Sequence, residues 1–154
     1  MKSPEEKHEA RVERAYQSMR CLTIGSIFNK HPNGLACLFQ KLVRLKARDK
    51  HGICECITCG KRQPWQEMDS GHYIPRTNKA TALDERNVSV QCVFCNRHGS
   101  GELAKYREAL IAKYGIEAVE ELETKRLDRN HTWDRRELAK IKIALLDELK
   151  TYEH

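Results

Sequence analysis

Apolar positions recur at helical spacing at both ends of this chain and in one long stretch after residue 34. The middle of the chain alternates instead. Residues 4–20 are rich in Glu, Lys, Arg and Ala and predict a helix, with Ser3 as N-cap and Pro4 at its first position. His31-Pro32-Asn33-Gly34 predicts a turn. Over residues 35–50, Leu35, Leu38, Phe39, Leu42, Val43 and Leu45 make an apolar stripe, so a second helix is predicted there. Lys41, Arg44 and Arg48 lie a turn apart on another face of it. His51-Gly52 ends that helix.

From 53 to 96 the texture becomes short alternations broken by Gly, Pro, Asn and Asp. Strands are predicted over 68–74 and 88–92, with a polar loop over 75–86 between them. A short helix is expected at 94–98. Residues 102–114 read as a helix stopped by Gly115, and 116–127 as another. Residues 134–152 read most clearly of all. Asp134 and Glu137 have capping-box spacing, and Leu138, Ile141, Leu145, Leu149 and Tyr152 share a stripe. That stripe packs either on this chain or on a second subunit.

The pattern therefore predicts an α+β protein in three parts: a helical region at 1–52 with a basic helix, a core at 53–101, and C-terminal helices at 102–154. Composition limits that core. Of 154 residues, 40% are hydrophobic but only 6% aromatic, so the interior is modest and mostly aliphatic. A metal cross-link would help so small a sheet region. No run resembles a membrane span or a signal peptide, and a cytoplasmic location is expected. The net charge is +6. Most of it comes from residues 41–62, where Lys41, Arg44, Lys46, Arg48, Lys50, Lys61 and Arg62 face only Asp49 and Glu55. Such a stripe suits a polyanion, although a solvated helix face would read the same way.

Four of the seven cysteines carry the strongest chemical signal. Cys56/Cys59 and Cys92/Cys95 are two Cys-x-x-Cys pairs, and each can give two corners of a tetrahedral zinc site. Cys54 competes with Cys56, but the two-residue gap favours Cys56. A redox dithiol is the alternative for a single pair. Cys21 and Cys37 lack pair spacing and are expected to be buried apolar side chains. A closed four-thiolate site leaves no open position, so this zinc would be structural.

Between the pairs lies Gly71-His72. A neutral imidazole can take a proton from water near neutral pH, although a hydrogen-bonded structural histidine is the commoner case. Asn87, in Asp84-Glu-Arg-Asn-Val88, can hold two loop segments through its amide or simply serve a turn. Asn96 follows the last zinc cysteine. Its oxygen could ligate a hard divalent ion, or it could cap a helix.

A zinc-framed Gly-His, a central Asn and a Cys-x-x-Cys-Asn closure resemble the His-Asn-His, or ββα-metal, endonucleases. More narrowly, Asp69-Ser-Gly-His-Tyr-Ile-Pro-Arg76, Asp84-Glu-Arg-Asn-Val88, Gln91-Cys-Val-Phe-Cys-Asn-Arg-His98 and Ser100-Gly-Glu-Leu-Ala-Lys-Tyr-Arg107 look like the phage NinG/Rap family of recombination endonucleases. The layout is also similar to phage endonuclease VII. The resemblance runs from about residue 38 to 121.

It implies a zinc-stapled ββα-metal core flanked by helices. His72 matches the general base, Asn87 the residue orienting the base-bearing loop, and Asn96 a ligand of a catalytic Mg²⁺ or Mn²⁺. Cys56, Cys59, Cys92 and Cys95 match the ligands of a structural Zn²⁺. Many relatives place an acid or a second His just before the base. Here Gly71 stands there, and Asp69 or His98 is expected to substitute. Arg76, Arg97 and the stripe Lys41, Arg44, Lys46, Arg48 and Lys50 would clamp phosphates.

The implied substrate is branched DNA, such as Holliday junctions and D-loops, cut to 5′-phosphate and 3′-hydroxyl ends in the host cell cytoplasm. Paired cuts imply a homodimer. Two rivals remain: a nuclease of this type without branch specificity, and a zinc module that binds DNA without cutting it.

Overall fold

A computed structural model describes residues 1–30 and 32–153. His31, the first residue of the expected turn, lies outside them. In chain order the elements are helices α1 (Pro4–Met19), α2 (Ile24–Asn29) and α3 (Leu35–Ala47), strands β1 (Ile53–Glu55), β2 (Arg62–Pro64), β3 (Met68–His72) and β4 (Val88–Cys92), and helices α4 (Leu103–Tyr114), α5 (Ile116–Lys125) and α6 (Arg135–Lys150). The architecture is α+β with two small two-stranded sheets. The chain forms two compact units, residues 1–42 with 133–154, and residues 43–132. The C-terminal helices divide between them: α6 belongs to the first unit, α4 and α5 to the second.

In the first unit α1 packs on α6. Ser3 caps α1 reciprocally: its hydroxyl accepts the Glu6 N–H at 3.1 Å, and the Glu6 carboxylate accepts the Ser3 N–H at 2.6 Å. Val12 and Met19 of α1 and Leu138, Ala139, Leu145 and Leu149 of α6 are buried. Each large aliphatic side chain so buried stabilises by about 1.5–3 kcal/mol. Arg11 grips Asp147 through two bonds of 2.8 and 2.6 Å. The apolar stripe of α6 is thus covered within its own chain. Its membership shifts slightly, since Ile143 is buried and Ile141 only half-buried. Asp134 forms its half of the expected cap, accepting the Glu137 N–H at 3.1 Å.

In the second unit β1 and β2 pair antiparallel, Cys54 opposite Gln63, and their turn carries the first cysteine pair. The β3–β4 ladder places Met68 opposite Cys92, Asp69 opposite Gln91, Gly71 opposite Ser89, and His72 opposite Val88. Strand alternation sets Asp69, Gly71, Ser89 and Gln91 on one face, and Met68, Ser70, His72, Val90 and Cys92 on the other. A single π-helical turn, Phe94–His98, follows β4 directly. Cys54, Cys56, Met68, Val90, Cys92 and Cys95 form one buried cluster, and Tyr106, Leu110 and Val119 of α4 and α5 another.

Two expectations change, and two elements are new. Strand β3 ends at His72 rather than 74, because the Ile74 backbone is taken by the Asn87 side chain and not by the ladder. The β1–β2 hairpin and α2 were not anticipated. Cys21 is exposed and Cys37 half-buried, so Cys21 is not the buried apolar side chain expected. Among the described residues no helix is long and apolar enough to cross a membrane.

Candidate metal centre and hydrolytic site

The Sγ atoms of Cys56, Cys59, Cys92 and Cys95 all lie within 4.8 Å of one another. Cys59 and Cys92 sulfurs are 3.8 Å apart. With Zn–S bonds of about 2.3 Å the edge of a tetrahedron is about 3.8 Å, so this donor set fits zinc. Local backbone explains the convergence. Gly60, at φ +74°, lets the chain turn behind Cys59, and its N–H bonds the Cys56 carbonyl at 2.9 Å. Cys54 stays outside the quartet: its thiol donates to the Arg44 carbonyl at 3.3 Å.

The electrostatics also ask for a cation. Burial opposes ionisation of Cys56, but the Thr58 hydroxyl and nearby backbone N–H groups outweigh it, and the thiol is lowered to about 6. Burial, then the neighbouring cysteines, push Cys95 up to about 12. A bound cation would favour the thiolate at both positions.

Beside the knuckles, Asp69 is enclosed by its own neighbours. Arg97 donates to both its oxygens, at 2.8 Å each, and the Asn96 Nδ2 donates at 2.9 Å. Burial raises the carboxyl, but these bonds win and hold it below the usual range. Strand β3 and the π-helical turn therefore bring Asp69 and Asn96 together. The same fold spends the carboxylate on Arg97, a contact not foreseen from sequence. His98 is exposed, and its ring lies 6.1 Å from that of Phe94.

His72 lies at the other end of β3, on the face opposite Asp69. Its Nε2 is 3.1 Å from the Ala82 carbonyl. A carbonyl can only accept, so Nε2 carries the proton and Nδ1 keeps its lone pair. Burial, partly offset by that bond, lowers the imidazole's pKa, which favours the neutral form. Asn87 is fully buried and sets the loop that supplies the carbonyl. Its Oδ1 accepts the Ile74 N–H at 2.7 Å, and its Nδ2 donates to the carbonyls of Ile74 at 2.9 Å and Thr81 at 3.1 Å. Thr81 is the residue before Ala82, so Asn87 positions the partner of His72.

The same loop is anchored on α5. Arg86 bridges Asp84 and Glu121, and Lys125 reaches Asp84 at 3.2 Å. Burial opposes ionisation of Asp84, yet these bonds, Arg86 first, lower it to about 2.

Lys41 lies in the first unit, paired with Glu153 at 2.9 Å. In the second, Arg44 reaches the Ser70 hydroxyl at 3.4 Å, Lys46 pairs with Glu85 at 3.1 Å, and Arg48 lies over the Trp65 ring. Lys50 and Arg76 are exposed.

Three residues escaped the sequence reading. Thr58 bonds the Cys56 sulfur at 3.2 Å and the Gln91 Nε2 at 3.4 Å. Tyr106, fully buried, donates to the Gly71 carbonyl at 2.8 Å. Gln91 is fully buried directly opposite Asp69. A glutamine between Val90 and Cys92 in a predicted strand is the available signal for it.

Residues 2–154 match the family described as "Bacteriophage Lambda NinG protein". Among similar proteins, the chain is 40% identical over 114 residues to "Protein ninG" of Salmonella phage P22, covering 72% of this chain and 54% of that one. The same name, identity and coverage hold for Escherichia phage 933W. For Escherichia phage lambda the identity is 39%, covering 72% and 53%. The chain thus spans about half the length of the curated relatives it matches. No solved structure matches it.

Proposed function

The chain belongs to the NinG family of bacteriophage lambda-like proteins, and from that premise we propose that it is a metal-dependent DNA endonuclease of the ββα-metal type, acting on branched recombination intermediates. The observation that carries the reading is His72: half-buried, held as the Nε2–H tautomer by Ala82, with Nδ1 available as a base. The same hairpin carries a four-cysteine site at its other end and a polar Asp69–Asn96 cluster, and a helical turn follows it.

In the proposed reaction His72 accepts a proton from water at Nδ1 as the oxygen attacks phosphorus in line. Asn87 keeps Ala82, and so the imidazole, in register during that transfer. Asn96, with Asp69 once Arg97 turns away, would hold a Mg²⁺ or Mn²⁺ ion, which when bound neutralises charge on the leaving 3′ oxygen. Arg97, 63% exposed, has room to move onto a phosphate. Arg44, Lys46, Arg48, Lys50, Arg76 and Lys41 would add phosphate contacts. A homodimer working in the host cell cytoplasm would allow two paired cuts.

One observation favours a rival. Asp69 already has a cation, Arg97, and a DNA-binding zinc module needs no other. Cleavage of a four-way junction and of its separate linear arms, in Mg²⁺ or Mn²⁺, separates the readings. Faster cutting of the junction is expected. Equal cutting removes the branch preference, and binding without cutting under either ion removes the nuclease.

A further inference from the structure

Position 71 is glycine for a reason visible in the side chains above it. A Cβ built there would collide with the Oε1 of Gln91 and lie 3.0 Å from the Oδ1 of Asn96. Two amide oxygens thus converge on the place a side chain would fill. Both amides are oriented by bonds to their nitrogens. The Nε2 of Gln91 points to Thr58 at 3.4 Å, and Thr58 is itself bonded to the Cys56 sulfur. The Nδ2 of Asn96 points to Asp69 at 2.9 Å. With the nitrogens so engaged, the oxygens turn inward over Gly71. Gln91 is fully buried, so its side chain is held in place by its surroundings.

We propose that Gln91 is a ligand of the catalytic divalent ion, its Oε1 pairing with the Oδ1 of Asn96 over Gly71. This rests on the nuclease reading and adds to it. Hard cations take amide oxygens, and Mg²⁺ and Mn²⁺ sites commonly use few protein ligands and several waters. Neither donor is charged, so the site is weak until Asp69 or a DNA phosphate joins it. Thr58 is a positioning residue: it ties the orientation of Gln91 to the zinc knuckle. An acid at 71 and a glutamine at 91 are then alternative ways to fill one ligand position, and they exclude each other by volume.

The test is Mn²⁺ binding to the zinc-loaded chain, read from the electron paramagnetic resonance signal of free Mn²⁺. It is made with and without a four-way DNA junction, in a His72→Ala background so that cutting is slow on the time scale of the measurement. Gln91→Ala should weaken binding about tenfold or more, as Asn96→Ala should. Gln91→Glu, of the same shape with a charge added, should tighten it, and it decides the matter if Gln91→Ala costs the zinc. Gly71→Asp combined with Gln91→Ala should recover binding.

A purely structural Gln91 predicts the reverse for glutamate: a buried charge without a cation, lowering stability and leaving Mn²⁺ affinity unchanged. That result, or normal Mn²⁺ binding by Gln91→Ala beside a defective Asn96→Ala, overturns the assignment and leaves the nuclease reading standing. No Mn²⁺ bound with or without the junction overturns both.

Discussion

The two ends of the β3–β4 hairpin are ordered by different means. At the Met68–Cys92 end, four sulfurs lie within 4.8 Å of one another, touched by the Thr58 hydroxyl and the Cys95 N–H. At the His72–Val88 end, Asn87 answers three backbone groups, and the loop it closes is bound to α5 through Asp84, Arg86, Glu121 and Lys125. One end is a set of four metal donors, while the other is complete in hydrogen bonds alone. The difference teaches that the proposed base can fail while the cysteine site stays intact, but not the reverse. A defect at the knuckle should take the whole second unit with it, whereas a defect in the loop should disturb His72 and spare the metal.

Removing the zinc tests the first half and should have the largest effect. Structural zinc sites of this kind contribute about 10–16 kcal/mol of apparent binding energy to folding. Chelation, or Cys92→Ser, is expected to unfold the 43–132 unit and abolish DNA cleavage. Circular dichroism should keep the signal of α1 and α6, and limited proteolysis should cut within 43–132. A stripped protein that resists protease throughout would show that the thiols need no ion.

Asn87→Ala tests the second half. It leaves the N–H and C=O of Ile74 and the C=O of Thr81 without their partner, a loss of about 2–4 kcal/mol. Zinc content should remain at one ion per chain while cleavage falls, because Ala82 no longer holds the imidazole. Loss of zinc with Asn87→Ala would join the two ends into one cooperative site and end the comparison.

A smaller effect is expected at acid pH. Asp84 is lowered from 3.8 to about 2 in the folded chain. Its folded value lies below its unfolded value, so its stabilisation is present above about pH 4 and fades as pH falls toward about 2. At 1.36 kcal/mol per pH unit it amounts to about 2 kcal/mol. Asp84→Asn should lower stability at pH 6 and flatten its dependence between pH 4 and 2. An unchanged acid limb in chemical denaturation would remove Asp84 from the loop's anchor.

What could be read in the sequence was whatever short spacing determines. The Cys-x-x-Cys pairs meet because each knuckle is a local turn, and Cys56 rather than Cys54 joins them for that reason. The 88–92 strand and the helices at both ends follow from apolar periodicity and their caps. What could not be read depends on distant partners. Strands of three residues, as in β1 and β2, carry too little pattern to announce a hairpin. Nothing local pairs α1 with α6, or Arg97 with Asp69. Asp69 and Asn96 were expected near one another and are, but the guanidinium on the carboxylate is a tertiary fact. Gln91 opens the Gln-Cys-Val-Phe-Cys-Asn motif, yet spacing alone assigns it no role. The role proposed for it comes from the register opposite Asp69 and the space over Gly71.

The central claim is that His72 moves the proton. The most direct measurement is the single-turnover rate of four-way junction cleavage in Mn²⁺ by the wild type and by His72→Ala, both with zinc bound. A positioned general base contributes about 10²–10⁴ in rate, so a fall of that size with junction affinity unchanged is the predicted result. Cleavage by His72→Ala at the wild-type rate would contradict the account.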